Sequence, residues 1–339
     1  MTSQKIADRA DSSSLDEPLT VDLSAFTSNG DATSRRQTAD ELHEKLKING
    51  FVGITGHGVS PDLLTEAFAT SKKFFDLPYQ DKMKAPHPDA PVPHRGYSGP
   101  GREYESFEMG SEENKREPNI WPPEEVYPGF RDFLVKFYWE LNKTSLAILD
   151  ALIMSLDLTE DEAKTVRALH PGHDHQLRLL HYPPMDEATA ADKYSARIGA
   201  HRDWSSFTIL FQDANGGLKY FDRPSETFRD AIPKEGVLYM NIGDMFERVS
   251  NGECASLLVE IIVSNGAFYR GIYPSALHEV VVRNPGQARY SIPYFMSPIG
   301  EGIIEPQPSL VEKVESRLFD PVSMMEYSKT MFERINVYV

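Results

Sequence analysis

From Gln176 to Met296 the chain breaks into short runs of strand-forming residues, at 177–182, 205–212, 217–221, 236–242, 275–283 and 289–296, separated by turn-forming residues. This texture constrains the fold more than any other feature. A single run of this length cannot bury its own apolar face, and several at this spacing predict a barrel or double-sheet jelly roll. Helical periodicity surrounds it. Leu42 and Leu46 mark a helix over 38–49, and Leu64, Phe68 and Phe74 mark one over 61–75. Phe133, Phe137, Leu141, Ile148 and Leu152 mark a long one over 130–156. Phe51–Thr55 reads as a strand ending at Gly56-His57-Gly58, and Thr159 with Glu162 forms a capping box. The Pro- and Gly-rich residues 83–128 predict an extended loop crossing over a core. Helix returns from Val311 and breaks at Pro321. The expected class is α+β, mainly β with flanking helices. The expected organisation is a disordered tail (1–18), an N-terminal region (19–125), a helical support (126–175), a β core (176–298) and a C-terminal helical segment (299–339).

Length and charge narrow the function. A chain of 339 residues can build one large domain or two small ones with ample core. Its 51 acidic side chains outnumber 35 basic ones, a formal charge of -16 that repels phosphate backbones and anionic lipid. Nucleic acid and membrane are therefore not expected as partners. The one cysteine, Cys254, excludes an intrachain disulfide and a cysteine-based zinc site. The polar N-terminus lacks the apolar centre of a signal peptide, and no apolar run approaches the roughly 18 residues that span a bilayer. A cytoplasmic protein is expected.

The chemistry lies with the histidines. A His-x-Asp pair occurs at His87-Pro88-Asp89, in a Pro-rich stretch with no strand to fix it, and again at His201-Arg202-Asp203 beside the run Ser205–Phe211. In an extended segment, residues two apart project to one face, so His201 and Asp203 can converge on one ion. His278, in Ala276–Val282, is the only histidine beyond residue 203 and supplies the third ligand from another strand. Two histidines and a carboxylate on one face suit iron(II) with open positions. The same set holds zinc in hydrolases. Eleven residues beyond His278, Arg289 and Ser291 share a strand face, and a guanidinium fork beside a hydroxyl suits a terminal carboxylate. A zinc hydrolase needs no such partner, although an isolated arginine more often pairs with a surface acid. Trp204, Phe207 and Tyr97 are candidates for a substrate pocket and equally for the core, with core the first reading for Phe207. His170, His173, His175 and His181 read as loop and packing residues, His57 as a turn residue and Asp244 as a turn cap. Asp222, Arg223 and the rest of 222–235 read as solvated surface.

At these residues the chain resembles the 2-oxoglutarate/iron(II) dioxygenase superfamily, in the branch with isopenicillin N synthase and the flavonoid and gibberellin oxygenases. Asn49-Gly50-Phe51, His57-Gly58-Val59, Phe74–Pro78 and Arg95-Gly96-Tyr97 match its N-terminal region. Leu177–Pro184, Gly216-Gly217-Leu218 and Asn241–Asp244 match its core. The resemblance implies a double-stranded β-helix, Fe(II) on the three ligands, and 2-oxoglutarate held by Arg289 and Ser291 with Tyr182 toward its C1 side. It also implies dioxygen and a small-molecule substrate as partners, ascorbate as a reductant, and oxidation of a C–H bond with release of succinate and carbon dioxide. Hydroxylation, desaturation or ring rearrangement in specialised metabolism is the expected outcome. Two alternatives stand beside it: an isopenicillin N synthase-type oxidase that spares 2-oxoglutarate, and a catalytically silent binding protein.

One departure concerns spacing. His201 and His278 lie 77 positions apart, more than is usual in the family, and the excess falls on residues 253–271, which carry the apolar Leu257–Val263. Without them Ser250-Asn251-Gly252 joins Ile272-Tyr273-Pro274 in a family-like run. Gly252-Glu253-Cys254 can be encoded with a donor-like GTGAGT and Arg270-Gly271 with an acceptor-like AG in matching phase, so the hypothesis is a retained intron. The competing reading is a genuine lid or oligomer contact. Transcript sequencing separates them, since uniform mRNA carrying the segment rules out the intron.

Overall fold

Strand alternation divides this protein into two cores. In β5 (Gln176–Tyr182) Leu177 and Leu179 join one apolar cluster, whereas Leu180 and Tyr182 join another, because successive side chains leave a strand on opposite faces. The computed structural model describes residues 19–88, 95–99, 103–190, 196–252 and 273–337.

Before β5 come β1 (Thr20–Asp22), β2 (Phe51–Thr55), β3 (Gly96–Ser98) and β4 (Glu105–Gly110). After it come β6 (Ala196–His201), β7 (Phe207–Gln212), β8 (Leu218–Asp222), β9 (Thr227–Asp230), β10 (Leu238–Ile242), β11 (His278–Val281) and β12 (Arg289–Met296). The large sheet runs β1-β2-β10-β7-β12-β5-β4-β3 and the small one β6-β11-β8-β9. Between the two sheets lies the smaller core, with Leu180, Tyr182, Leu218, Tyr220, Tyr239 and Val280. This is a double-stranded β-helix. A short ribbon of β13 (Ile303–Ile304) and β14 (Val322–Ser323) stands apart.

The larger core joins the outer face of the large sheet to helices. These are α1 (Ser24–Thr27), α2 (Ala32–Asn49), α3 (Pro61–Phe75), α4 (Tyr79–Lys82), α5 (Phe130–Ser155) and α6 (Glu160–Ala168). Later come α7 (Glu187–Ala190), α8 (Asp244–Val249), α9 (Pro308–Val314) and α10 (Met324–Val337). In α5, Phe137, Leu141, Ile148 and Leu152 are fully buried, and Phe133 packs at the edge of the core. The Thr159–Glu162 capping box forms in both directions at the start of α6. Among the described residues no helix is long and apolar enough to cross a membrane.

The structure corrects the sequence reading at several places. Residues 83–128 are not all loop, since β3 and β4 extend the large sheet. Prolines and glycines on either side mask the alternation of Phe107 and Met109 with Ser106 and Glu108. Helix α2 starts six residues before the expected 38, where Asp31 accepts from the Ser34 N–H at 2.7 Å. Its polar first turns carry no apolar period. The 222–235 stretch holds β9, and Asp222 is buried, bonded to Asn49, Ser225 and Arg229. The expected tail and the insertion at 253–271 lie outside the described residues.

One polar cluster sits on the helix side of the large sheet. Glu105, buried, accepts from Lys82 at 2.7 Å and Tyr97 at 2.5 Å, and its other oxygen meets His181 at 2.7 Å. Burial alone pushes Glu105 up, yet hydrogen bonds from His181, Lys82 and Tyr97 outweigh it and hold the carboxyl below the ordinary glutamate range. Its stabilisation is complete above the unfolded glutamate pKa and is lost as pH falls through the depressed folded value. Removing one partner of a buried pair strands the other charge. Lys82→Met is expected to cost about 3 kcal/mol in urea unfolding at pH 7, and adding Glu105→Gln to recover much of that loss.

Candidate metal centre

Strand β6 ends at His201 and β11 begins at His278, and the two pair antiparallel with these residues directly opposite. Their ring centroids are 4.2 Å apart. Asp203 follows in the loop after β6, and its Oδ1 lies 3.8 Å from His201 Nε2 and 3.9 Å from His278 Nε2. One ligand atom from each of the three lies within 4.8 Å of the others. The sequence reading grouped the same residues but set them before the strand that follows. In the structure His201 closes the strand that precedes, which weak alternation in Arg197–Ala200 conceals.

Neighbours fix how each ligand points. His201 Nδ1 lies 2.9 Å from the Gly199 carbonyl and His278 Nδ1 lies 3.0 Å from that of Ala276. A carbonyl only accepts, so Nδ1 carries the proton and Nε2 presents a lone pair. The Asp203 Oδ2 accepts from Thr208 Oγ1 at 2.6 Å and Asn241 Nδ2 at 2.7 Å, which leaves Oδ1 toward the imidazoles. Burial pushes Asp203 up, but His278, His201, Thr208 and Asn241 outweigh it and hold the carboxyl below its ordinary range. Burial, then the neighbouring His278, lowers His201 to about 4. Its side chain is nonetheless 38% exposed, against 9% for His278 and 8% for Asp203. Two imidazole Nε2 atoms and an ionised carboxylate form a donor set suited to a divalent ion.

A second group lies on the inner face of the large sheet. Arg289 is buried and pairs across strands with Tyr182, its guanidinium 4.7 Å above that ring. It donates to the Gly216 carbonyl, to Ser291 Oγ at 3.0 Å and to Gln212 Oε1 at 3.4 Å. Among the described residues no carboxylate forms an ion pair with it. The Tyr182 hydroxyl is buried beside Ser291 without a well-formed hydrogen bond. A buried guanidinium that forms no ion pair among the described residues, next to an unsatisfied hydroxyl, fits an anion carrying a terminal carboxylate. Arg289, Ser291 and Tyr182 therefore come together as expected, and Arg289 is not an arginine paired with a surface acid.

The substrate-pocket candidates fare differently. Tyr97 and Phe207 both belong to the helix-facing core, Tyr97 donating to Glu105. A pocket role for them is corrected by strand parity, because their side chains leave the sheet away from the metal ligands. Trp204 is half-buried and meets Phe332 of α10 edge-on at 4.9 Å. His170 and His175 are buried and bonded to Val166, Ser206 and Tyr294, as packing residues. His57 sits between glycines at φ 58° and 82° in a turn, its ring accepting from the Val59 N–H. Asp244 opens α8 and accepts from Tyr327 at 2.6 Å. Thr208 and Asn241 carried no signal for their role from sequence alone, although each is a polar residue in an otherwise apolar strand.

Comparison with known proteins agrees with this geometry. Residues 20–124 match the family described as non-haem dioxygenase in morphine synthesis, N-terminal, and residues 173–298 match the 2OG-Fe(II) oxygenase superfamily. The chain is 30% identical to the 2-oxoglutarate-dependent dioxygenase frbA of a Dothideomycetidae species, covering 91% of this chain and 94% of that protein. It is 30% identical to the 2-oxoglutarate-dependent dioxygenase htyE of Aspergillus rugulosus, covering 93% and 98%. Among solved structures it resembles a full-length Neurospora crassa protein crystallised in complex with alpha-KG, at 28% identity and TM-score 0.80, covering 94% and 96%.

Asn241→Leu removes one of two bonds that aim the Asp203 carboxylate. Anaerobic Fe(II) titration is expected to show affinity reduced about 10- to 100-fold, with Asp203→Ala abolishing stoichiometric binding. Unchanged affinity in Asn241→Leu contradicts the positioning role.

Proposed function

The chain belongs to the 2OG-Fe(II) oxygenase superfamily, and from that premise we propose that His201, Asp203 and His278 hold one Fe(II) while Arg289, Ser291 and Tyr182 hold 2-oxoglutarate. The protein is a 2-oxoglutarate-dependent dioxygenase, a non-haem iron oxidoreductase acting on a small organic molecule. One observation carries the assignment of residues: a buried arginine with no acidic partner among the described residues stands on the inner face of the barrel whose opposite sheet bears the ligands His201 and His278.

Bound Fe(II) and 2-oxoglutarate supply dioxygen activation coupled to decarboxylation of the keto acid to succinate. The chain does the rest by placement. The fork of Arg289 is held open by Gly216 and Gln212, so a carboxylate meets a preformed site rather than a mobile side chain. The Tyr182 ring beneath it completes a dry wall, and the smaller core of Leu180, Leu218 and Val280 excludes water. His201 and His278 keep their protons on Nδ1 and leave Nε2 for the metal.

Dioxygen as co-substrate, ascorbate as reductant and a cytoplasmic setting belong to the same reading, the last supported by the single cysteine and the charge of -16. Structures of the Neurospora crassa protein hold thymine and 5-formyluracil, which supports a compact organic substrate here as well. The resemblance to flavonoid and gibberellin oxygenases favours specialised metabolism as the setting.

Purified protein loaded with Fe(II) under nitrogen and exposed to air with 2-oxoglutarate is expected to form succinate slowly without any other substrate. Arg289→Leu is expected to weaken 2-oxoglutarate binding about 10- to 100-fold, the worth of charged hydrogen bonds, with Fe(II) stoichiometry kept. Succinate formation unaffected by Arg289→Leu, or absent from the wild type, overturns the assignment.

A further inference from the structure

Strands β4, β5 and β12 are neighbours in the large sheet, and behind Arg289 they carry two rows of side chains back to back. On the inner face Arg289 of β12 pairs with Tyr182 of β5. One residue along each strand, on the helix side, Tyr290 pairs with His181, and His181 pairs in turn with Glu105 of β4. This outer row is fixed at every contact. The Tyr290 and His181 rings are 4.7 Å apart and 17° from parallel. His181 Nδ1 lies 2.7 Å from Glu105 Oε1, and an ionised carboxylate only accepts, so Nδ1 donates. Lys82 and Tyr97 hold the other Glu105 oxygen and keep the carboxylate from turning away.

Tyr290 is also tied along its backbone. Its N–H donates to Asp213 Oδ2 at 2.6 Å, and its carbonyl accepts from the Asp213 N–H at 3.1 Å. Asp213 opens the turn that brings the Gly216 carbonyl to Arg289. The inner arginine and the outer stack therefore hang on one stretch of chain. An apolar pair would fill the same volume as His181 and Tyr290, and a buried ion pair such as Lys82–Glu105 seldom outweighs apolar packing in stability. Directional bonds contribute alignment instead. Alignment matters where a short diacid has to meet a metal at one end and a guanidinium at the other, because small misplacements are costly. Resting on the reading under Proposed function, we infer that His181, aligned by Glu105 and stacked on Tyr290, is a positioning residue for the co-substrate. It acts through the β5–β12 backbone on Arg289 and Tyr182, and so enforces the chain length of the diacid without touching it.

Anaerobic titration of the full-length Fe(II) protein tests this, read by the visible charge-transfer absorption of a keto acid chelated to Fe(II) and by calorimetry. The probes are 2-oxoglutarate and its longer homologue 2-oxoadipate. His181→Phe keeps a ring against Tyr290 and removes the bond to Glu105. Tyr290→Leu removes the stack at a partly exposed ring, keeps the backbone bonds to Asp213, and carries the test where His181→Phe does not fold. Each variant is expected to bind 2-oxoglutarate about 5- to 30-fold more weakly. 2-Oxoadipate is expected to lose less, so discrimination between the two acids narrows while Fe(II) stoichiometry stays unchanged. The inference is overturned if either folded variant keeps wild-type affinity and discrimination. It is also overturned if both acids weaken equally or Fe(II) binding falls with them, since a merely structural role does that. A wild type that binds neither acid is a different result, and it refutes the co-substrate reading.

Discussion

The pairing of β6 with β11 is the constraint on which the site depends. Register sets His201 against His278, and one slip along either strand turns an imidazole to the other face. The third ligand does not belong to that ladder. Asp203 reaches the same point from a loop, clamped by Thr208 on β7 and Asn241 on β10. Both sheets therefore contribute: the small one supplies two ligands and the large one supports the third. Arg202, between His201 and Asp203 in sequence, donates to the Ser275 carbonyl at 2.9 Å and so ties the loop to the segment leading into β11. Closing the barrel and assembling the metal centre are one physical event.

The barrel interior is graded along its strands. At one end Arg289 stands over Tyr182 and forms no ion pair among the described residues; at the other Arg178 stands over Phe295 and is ion-paired with Glu108. Both arginines stack on aromatic rings, and of the two only Arg178 is ion-paired among the described residues. The metal ligands open toward this graded interior, with His201 the most exposed of them.

Much of this was legible in the sequence because the decisive signals are local. Strand runs set the class, the His-x-Asp pair and the solitary downstream His278 named the three side chains that the structure brings together, and Arg289 with Ser291 shared a face by simple parity. Elements with weak local signals were missed. Strand β6 has exposed Gly199 and Ala200 where a strand pattern expects bulk, and β4 is hidden among prolines and glycines. Tyr97 was misplaced as a pocket candidate for a related reason, whereas Phe207, read first as core, lies in the helix-facing core. Aromatic character says that a side chain is buried, but only register says in which of the two cores. The contributions of Thr208 and Asn241 depend on cross-strand neighbours far away in sequence, which no spacing rule reveals.

X-ray absorption on the Fe(II)-loaded protein, recorded under nitrogen before and after 2-oxoglutarate, addresses the metal's surroundings directly. Scattering from two imidazoles among oxygen donors is expected, with loss of one imidazole in His278→Ala and a changed oxygen shell when the keto acid binds. An iron environment that is the same in wild type and His278→Ala, or indifferent to 2-oxoglutarate, contradicts the proposed centre.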